Sequence, residues 1–409
     1  MRIPGKVRTA ADAGAWLLTR ASVPALLATA VMLVITARQA YHSGINTMDD
    51  AIVVKAARTF LHGGSPYADK RFLYFPSAVL AAVPQALVST HTLKLVVPCL
   101  TLGLVVLGWF LALRIFNASP FSRLSVLGLF GLAFFEPLRN LTQLGNWTAV
   151  SVAALPGALL LARRSRWVWA GVVIGLAIAV KPMLVPVGLL FLFARRPLAF
   201  AAAALVPAVA SAGAAAVMPQ PSLFFTKTLP FLMHGQDQFA APYDGSLTTV
   251  LPRLGVPHAA AIAVAAALAL STLVLAWRRW ARGGDEGVRL VEVAAMLMLV
   301  AFLFSKPAFD HYMLVVLVPL AASIASPESA VRSPWFLLAL VPHIAAFQVA
   351  DYDAVQKWAF KVAATHVTIA VLLGVRTLRP ARPVAHDEQL ADRLGEPLDR
   401  VPRPAPVRG

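Results

Sequence analysis

Residues 163–182 read Arg163-Arg164-Ser165-Arg166-Trp167-Val168-Trp169-Ala170-Gly171-Val172-Val173-Ile174-Gly175-Leu176-Ala177-Ile178-Ala179-Val180-Lys181-Pro182. Three arginines open an apolar run that a lysine and a proline close. The apolar residues are continuous rather than alternating, which suits a helix in lipid and not a barrel strand. Such runs recur from residue 22 to residue 376. With 59% hydrophobic and 13% charged residues in a chain of 409, they leave no room for a soluble domain. The expected class is an all-α polytopic membrane protein.

A net charge of +17 raises the question of nucleic acid. The basic residues gather at the ends of apolar runs, as positive-inside anchors do, so no nucleic-acid partner is expected. The one cysteine, Cys99, lies in an apolar run and excludes an intrachain disulfide and a multi-cysteine metal site. No cleavage motif follows the first run, so residues 1–22 are expected to be a cytoplasmic N-terminus leading into an uncleaved span.

About twelve spans are expected, near 23–41, 94–115, 122–138, 147–162, 167–180, 183–195, 198–218, 257–277, 290–304, 311–326, 333–350 and 361–376. They form a membrane domain over 23–376, followed by a disordered cytoplasmic tail over 377–409 that is rich in Pro, Arg and acids. Arg163, Arg164, Arg166, Arg195, Arg196, Arg278, Arg279 and Arg282 mark the cytoplasmic face. The parity closes if 72–90, interrupted by Pro76 and Pro84, is re-entrant or interfacial. Segments 42–93 and 219–256 are then long outer loops, both termini are cytoplasmic, and the location is the plasma (inner) membrane.

Costly polar residues concentrate on the outer side. Thr47-Met48-Asp49-Asp50 opens a helix whose stripe of Lys55, Arg58, Thr59 and His62 opposes Val53, Ala56, Ala57 and Phe60. Such a helix lies along a membrane surface. Two carboxylates at its start exceed what capping needs. Glu136, Arg139, Asn140, Gln143, Asn146 and Trp147 crowd one outer turn, where Glu136 and Arg139 can pair at i, i+3. Lys181 stands at a hairpin apex, and Lys306, Asp310 and His311 flank Pro307. Each also has a structural reading: a snorkelling lysine, or a histidine bonded to Asp310 or Tyr312. No Gly-rich nucleotide loop, zinc spacing or Ser-His-Asp order occurs.

The ordered segments together resemble the glycosyltransferase family 87 branch of the GT-C membrane glycosyltransferases. They are Asp49-Asp50 through Ala56-Ala57 to Gly63-Gly64 and Tyr67, then Leu73-Tyr74-Phe75-Pro76, and Asn140-Leu141-Thr142-Gln143-Leu144-Gly145-Asn146. Arg163-Arg164, the run from Gly171 to Gly175, Lys181-Pro182 and Ser305-Lys306-Pro307 through His311-Tyr312 complete the set. Ser77 departs from the pattern, which often has a second Pro there.

The resemblance implies a GT-C fold and a polyprenyl-phosphate sugar donor, a glycan or glycolipid acceptor and membrane lipids as partners; no cofactor is expected, and no metal, because the sequence offers no compact carboxylate site beyond the Asp49-Asp50 pair. Two activities are implied: α-(1→3)-arabinofuranosyl transfer from decaprenyl-phospho-arabinose, or α-(1→2)-mannosyl transfer to phosphatidylinositol mannosides. Asp49-Asp50 and Thr228-Leu229-Pro230-Phe231 are similar to the arabinosyl type. In the implied single inverting displacement, Asp50 is the expected general base and Asp49 caps the helix or orients the acceptor. Lys181, His311, Lys306 and Arg139 are expected to stabilise the leaving phosphate, with Tyr74, Asn146, Lys55, Arg58 and His62 contacting substrate. The rival classes are a secondary transporter or lipid flippase, which also uses broken helices, and a non-catalytic partner of another envelope enzyme.

Overall fold

The computed structural model of the protein describes residues 10–234, 238, 240–344 and 354–379. Regular structure among them is helical, with two isolated bridges, Arg20 to Ser122 and Phe135 to Ile344. The N-terminal segment is not merely a leader to the first span. Its helix α1 (Ala10–Leu18) packs against α6 (Arg123–Ala133), and Arg123 sits over the Trp16 ring at 4.6 Å.

Helix α2 (Val23–Tyr41) exposes Val23, Leu27, Val31 and Val34 along one side, a lipid-facing stripe. After it come α3 (Met48–Leu61), α4 (Pro76–Ala86) and α5 (Thr90–Ile115). The hydroxyl of Ser89 starts α5 by accepting from Thr92 N. Helices α7 (Glu136–Leu144) and α8 (Thr148–Arg163) are bent by 118° at their junction. Helices α9 (Trp167–Val180), α10 (Gly188–Phe193) and α11 (Pro197–Val217) follow as a hairpin and return. Short helices α12 (Leu229–His234) and α13 (Leu247–Arg253) lead to α14 (His258–Ala281) and α15 (Glu286–Phe304). The chain ends through α16 (Met313–Ala322), α17 (Pro334–Leu340) and α18 (Ala354–Leu378).

Helix α15 is the axis of the core. Val288 and Leu290 through Leu299 are buried on every side, as a helix apolar all round requires. Its one buried charge, Glu292, is held by Arg279 of α14, Arg376 of α18 and the Ala330 amide. Helices elsewhere in the bundle approach closely at particular glycines. A Cβ on Gly108 of α5 would stand 2.4 Å from the Val152 carbonyl oxygen of α8.

The protein is a multi-pass membrane protein. Among the described residues six helices are long and apolar enough to cross a membrane, or seven if α7 and α8 count as one broken span. The expected span at 122–138 stops at Ala133, and residues 136–138 belong to α7. The one at 183–195 becomes a 3-10 turn from Pro182 and the six-residue α10. The span at 311–326 is the ten-residue α16 flanked by 3-10 turns at Asp310–Tyr312 and Ser323–Ala325. Ten α-helical residues rise only about 15 Å of a ~30 Å hydrocarbon core.

The stretch 72–90 forms α4, with Pro76 in its first turn and Ala78, Val79 and Ala82 buried against α3 and α11. In α3 Val53, Ala56 and Ala57 of the expected apolar face are buried and Phe60 is half-buried, while of the polar stripe Lys55 and His62 are exposed and Arg58 and Thr59 are half-buried. The tail over 380–409 and residues 345–353 of the expected eleventh span and outer segment lie outside the described residues.

Replacing Gly108 with Val should destabilise the detergent-solubilised protein by about 1–3 kcal/mol, because helix backbone cannot yield to the new side chain. Scanning fluorimetry would register this as a lower melting temperature. An unchanged melting temperature would contradict the close α5–α8 contact.

Candidate active site

The site grows from the break between α7 and α8. Gly145 ends α7 at φ 61, a left-handed conformation that glycine adopts without strain. A Cβ there would meet Val97 Cγ1 at 2.7 Å and Asp50 Cβ at 3.2 Å, so the turn and the start of α3 are pressed together. The Thr47 amide donates to the Gln143 carbonyl at 2.8 Å and fixes that contact.

The N-cap of α3 is Thr47, and no side chain caps the helix. Asp49 and Asp50 occupy its first turn, where the helix dipole favours negative charge, and both reach across to the α7–α8 turn. The capping role expected of Asp49 is therefore not realised. Asp49 is half-buried, and its Oδ2 accepts from Asn146 Nδ2 at 2.6 Å. Asp50 is 1% exposed, and its Oδ1 accepts from Trp147 Nε1 at 2.8 Å. Gln85 lies beside the Asp50 carboxylate, yet Oδ2 accepts no hydrogen bond of good geometry. Burial pushes the Asp50 carboxyl above its ordinary value of 3.8, the bonds from Trp147 and Gln85 oppose that rise, and the neighbouring Asp49 charge adds to it.

Asn146 reads both signs of charge. Its Oδ1 accepts from Lys181 Nζ at 2.7 Å, from the Thr148 amide at 2.9 Å and from the Thr148 hydroxyl at 2.7 Å. Lys181, 8% exposed, also donates to Thr148 Oγ1 at 2.9 Å. The ammonium therefore spends two of its three donors on neutral oxygens and keeps one. It stands 4.6 Å from the Tyr312 ring centroid and 6.0 Å from that of Tyr74. Tyr74 in turn meets Trp147 edge-on at 6.2 Å.

Ser77, the departure from the family pattern, has a specific task. Its hydroxyl donates to the Ala179 carbonyl at 2.6 Å, one of the orphan carbonyls at the end of α9 next to Lys181.

A second polar group adjoins this one. Asn140 Nδ2 donates to Asp310 Oδ2, and Asp310 Oδ1 faces His311 Nδ1 at 3.2 Å. His311 is 2% exposed and its Nε2 is buried without a partner. Beyond it, His343 bonds Thr365 at 2.9 Å and His366 stacks on Phe302 at 5.2 Å. Sequence reasoning passed over both histidines because each is a lone His in an apolar run. It also left Thr148 without a role, although it lies two residues from Asn146 and bonds Lys181.

The other expected residues fall elsewhere. Lys55 is exposed and pairs with Asp69 at 2.8 Å. Arg58 donates to the Ala86 and Val88 carbonyls at 3.2 and 2.9 Å, closing the end of α4. His62 is exposed and bonds the Arg58 carbonyl. These three hold α3 and its neighbours rather than join the group around Lys181. Lys306 is exposed, and Arg139 is half-buried with no side-chain hydrogen bond or ion pair among the described residues. Glu136 pairs with Lys361 at 3.6 Å, not with Arg139. Among the described residues no three His, Cys, Asp or Glu side chains are grouped to hold a metal ion.

A model of glycosyltransferase family 87 matches residues 72–305, more than half of the chain. The chain therefore belongs to glycosyltransferase family 87. The matched region contains Tyr74, Arg139, Asn146 and Lys181, while Asp49, Asp50 and His311 lie outside it.

Relatives named α-(1→3)-arabinofuranosyltransferase occur in Mycobacterium tuberculosis, at 25% identity over 65% of this chain and 62% of the relative. The Mycolicibacterium smegmatis relative of that name has the same values, and the Corynebacterium glutamicum one is 27% identical over 48% of each chain. The matches thus span less than two-thirds of those relatives. No solved structure matches.

The buried Asp50 gives a stability prediction with a definite sign. A carboxyl whose folded pKa is raised opposes folding when ionised, so Asp50→Asn should raise the melting temperature at pH 7. The gain should hold above the folded pKa and fade as pH falls through it toward 3.8. A melting temperature that falls at pH 7, or a gain that grows in acid, would contradict the assignment.

Proposed function

We propose that the enzyme transfers arabinofuranose from decaprenyl-phospho-arabinose to an arabinan acceptor in α-(1→3) linkage. The observation that carries the mechanism is a half-buried carboxylate joined through one amide to a buried ammonium: Asp49, Asn146 and Lys181. The names of the relatives support the sugar and the linkage.

A phosphodiester-linked sugar already carries a good leaving group. The protein must supply a base, a positive site for the phosphate and a place shielded from water. Asp49 suits the base better than Asp50, because Asp49 is half-buried whereas Asp50 is 1% exposed. Asp49 takes the proton of the acceptor hydroxyl, and that oxygen attacks the anomeric carbon. The bond from carbon to the phosphate oxygen breaks, and polyprenyl phosphate leaves with the electron pair. A β-linked donor then yields an α-linked product.

The remaining N–H of Lys181 stabilises the departing phosphate, and Arg139, half-buried in α7, is the next cation. Asp50 acts behind Asp49, holding Trp147 against Tyr74. The arginine clusters at the far ends of α8 and α14 support an active site on the outer face of the plasma membrane.

The test uses the chain in lipid nanodiscs with decaprenyl-phospho-arabinose and decaprenyl-phospho-mannose in parallel, with synthetic arabinan and mannoside acceptors. Arabinose transfer is expected, reduced about 100-fold or more in Asp49→Asn and within about tenfold of the parent in Asp50→Asn. Mannose transfer alone would overturn the donor assignment. An Asp50→Asn loss matching that of Asp49→Asn would overturn the choice of base.

A further inference from the structure

An open groove lies at the end opposite the carboxylates. Helix α8 starts beside Asn146 and runs 16 residues, about 24 Å, to Arg163, and α9 returns to Lys181. The turn between them, and the turn between α10 and α11, line a groove of about 440 Å³.

Both turns are built alike. Ser165 and Arg195 adopt left-handed conformations, at φ 60 and 54. In each the next amide folds back on the preceding helix, Arg166 N to Leu161 O at 2.9 Å and Arg196 N to Phe191 O at 2.8 Å. The side chains of Arg166 and Arg196 then occupy the N-caps of α9 and α11, and neither caps its helix.

The two turns meet because α9 and α11 pack with almost no side chain between them. A Cβ on Gly171 would lie 2.1 Å from the Ala199 carbonyl oxygen, and one on Gly175 would lie 2.8 Å from Val206 Cβ. This is the close approach that small residues four apart allow in membrane helices. It brings two positive helix ends and Arg166, Arg195 and Arg196 to one groove. No carboxylate lines it, and no ion pair involves these arginines among the described residues. Arg196 is steadied over the Trp167 ring at 5.4 Å. The apolar side of the groove consists of Val168, Trp169 and Leu198, which are 46%, 63% and 71% exposed.

We propose that this groove binds the phosphate head group of an anionic glycerophospholipid, with its acyl chains along Val168, Trp169 and Leu198. A phosphate matches the guanidinium forks and the first-turn amides of α9, whereas α11 opens on Pro197, which has no N–H. The exposed apolar wall favours a phosphate that carries chains over the free ion, and basic pockets between membrane helices are suited to such head groups. The inference is independent of the sugar donor.

The test reads binding, not turnover. The protein is placed in phosphatidylcholine nanodiscs with trace spin-labelled phosphatidylglycerol or spin-labelled phosphatidylcholine. The motionally restricted fraction is measured by electron paramagnetic resonance. Phosphatidylglycerol should be preferred roughly tenfold, as a few near-surface arginines allow. The Arg166→Gln/Arg195→Gln/Arg196→Gln variant should lose the preference, and Arg278→Gln/Arg282→Gln, which removes exposed charge from another helix end, should keep it. Should the triple variant misfold, Ser165→Asp introduces a carboxylate into the same groove and should also abolish the preference. Preference retained in both groove variants, or lost equally in the Arg278/Arg282 control, would overturn the proposal. Displacement of the label by millimolar inorganic phosphate would assign the groove to free phosphate instead.

Discussion

The side-chain amide of Asn146 is the contact on which the rest of the site depends. One end donates to a carboxylate and the other accepts from an ammonium, so Asp49 and Lys181 are tied without touching. A buried lysine with only neutral oxygens around it is expensive to hold. It is held because three elements converge: the first turn of α3, the α7–α8 turn and the end of α9. Each comes with a device that keeps it in place, namely Gly145 against Asp50, the Thr47–Gln143 backbone bond, and Ser77 on the last turn of α9.

The same economy shapes the membrane domain. Helices that position the site are short or broken, whereas the long apolar helices α5, α14 and α15 supply the frame. The break at 145–147 exposes backbone that a continuous span would hide, and Asn146 and Thr148 use it for side-chain bonds. Close glycine contacts do the remaining work. Gly108 seats α5 on α8, and Gly171 and Gly175 seat α9 on α11, so the ends of α8, α9 and α11 are fixed on both faces of the bundle.

Much of this was legible in the sequence. Continuous apolar runs with basic ends give the helical membrane class, and the alternating faces of α3 follow from Val53, Ala56 and Ala57 against Lys55. Asp49, Asn146, Lys181 and Tyr74 were legible as a group because polar residues at one membrane side are costly. What periodicity does not encode is which way a side chain turns after a helix break. Lys55, Arg58 and His62 share a stripe, but they serve Asp69, the end of α4 and the turn after α3. Asp49 and Asp50 are neighbours in sequence and differ by the 100° that separates successive helix residues, so only packing decides which is sealed. His343 and His366 carried no pattern at all, since a single histidine in an apolar run has no period.

The account stands on Asp49, Asn146 and Lys181 acting as one unit. A double-mutant cycle on the transfer rate, with Asn146→Ala and Lys181→Met made singly and together, measures that directly. The account predicts that either substitution removes most of the activity and that the pair loses little more than one alone. Losses that multiply independently would contradict it.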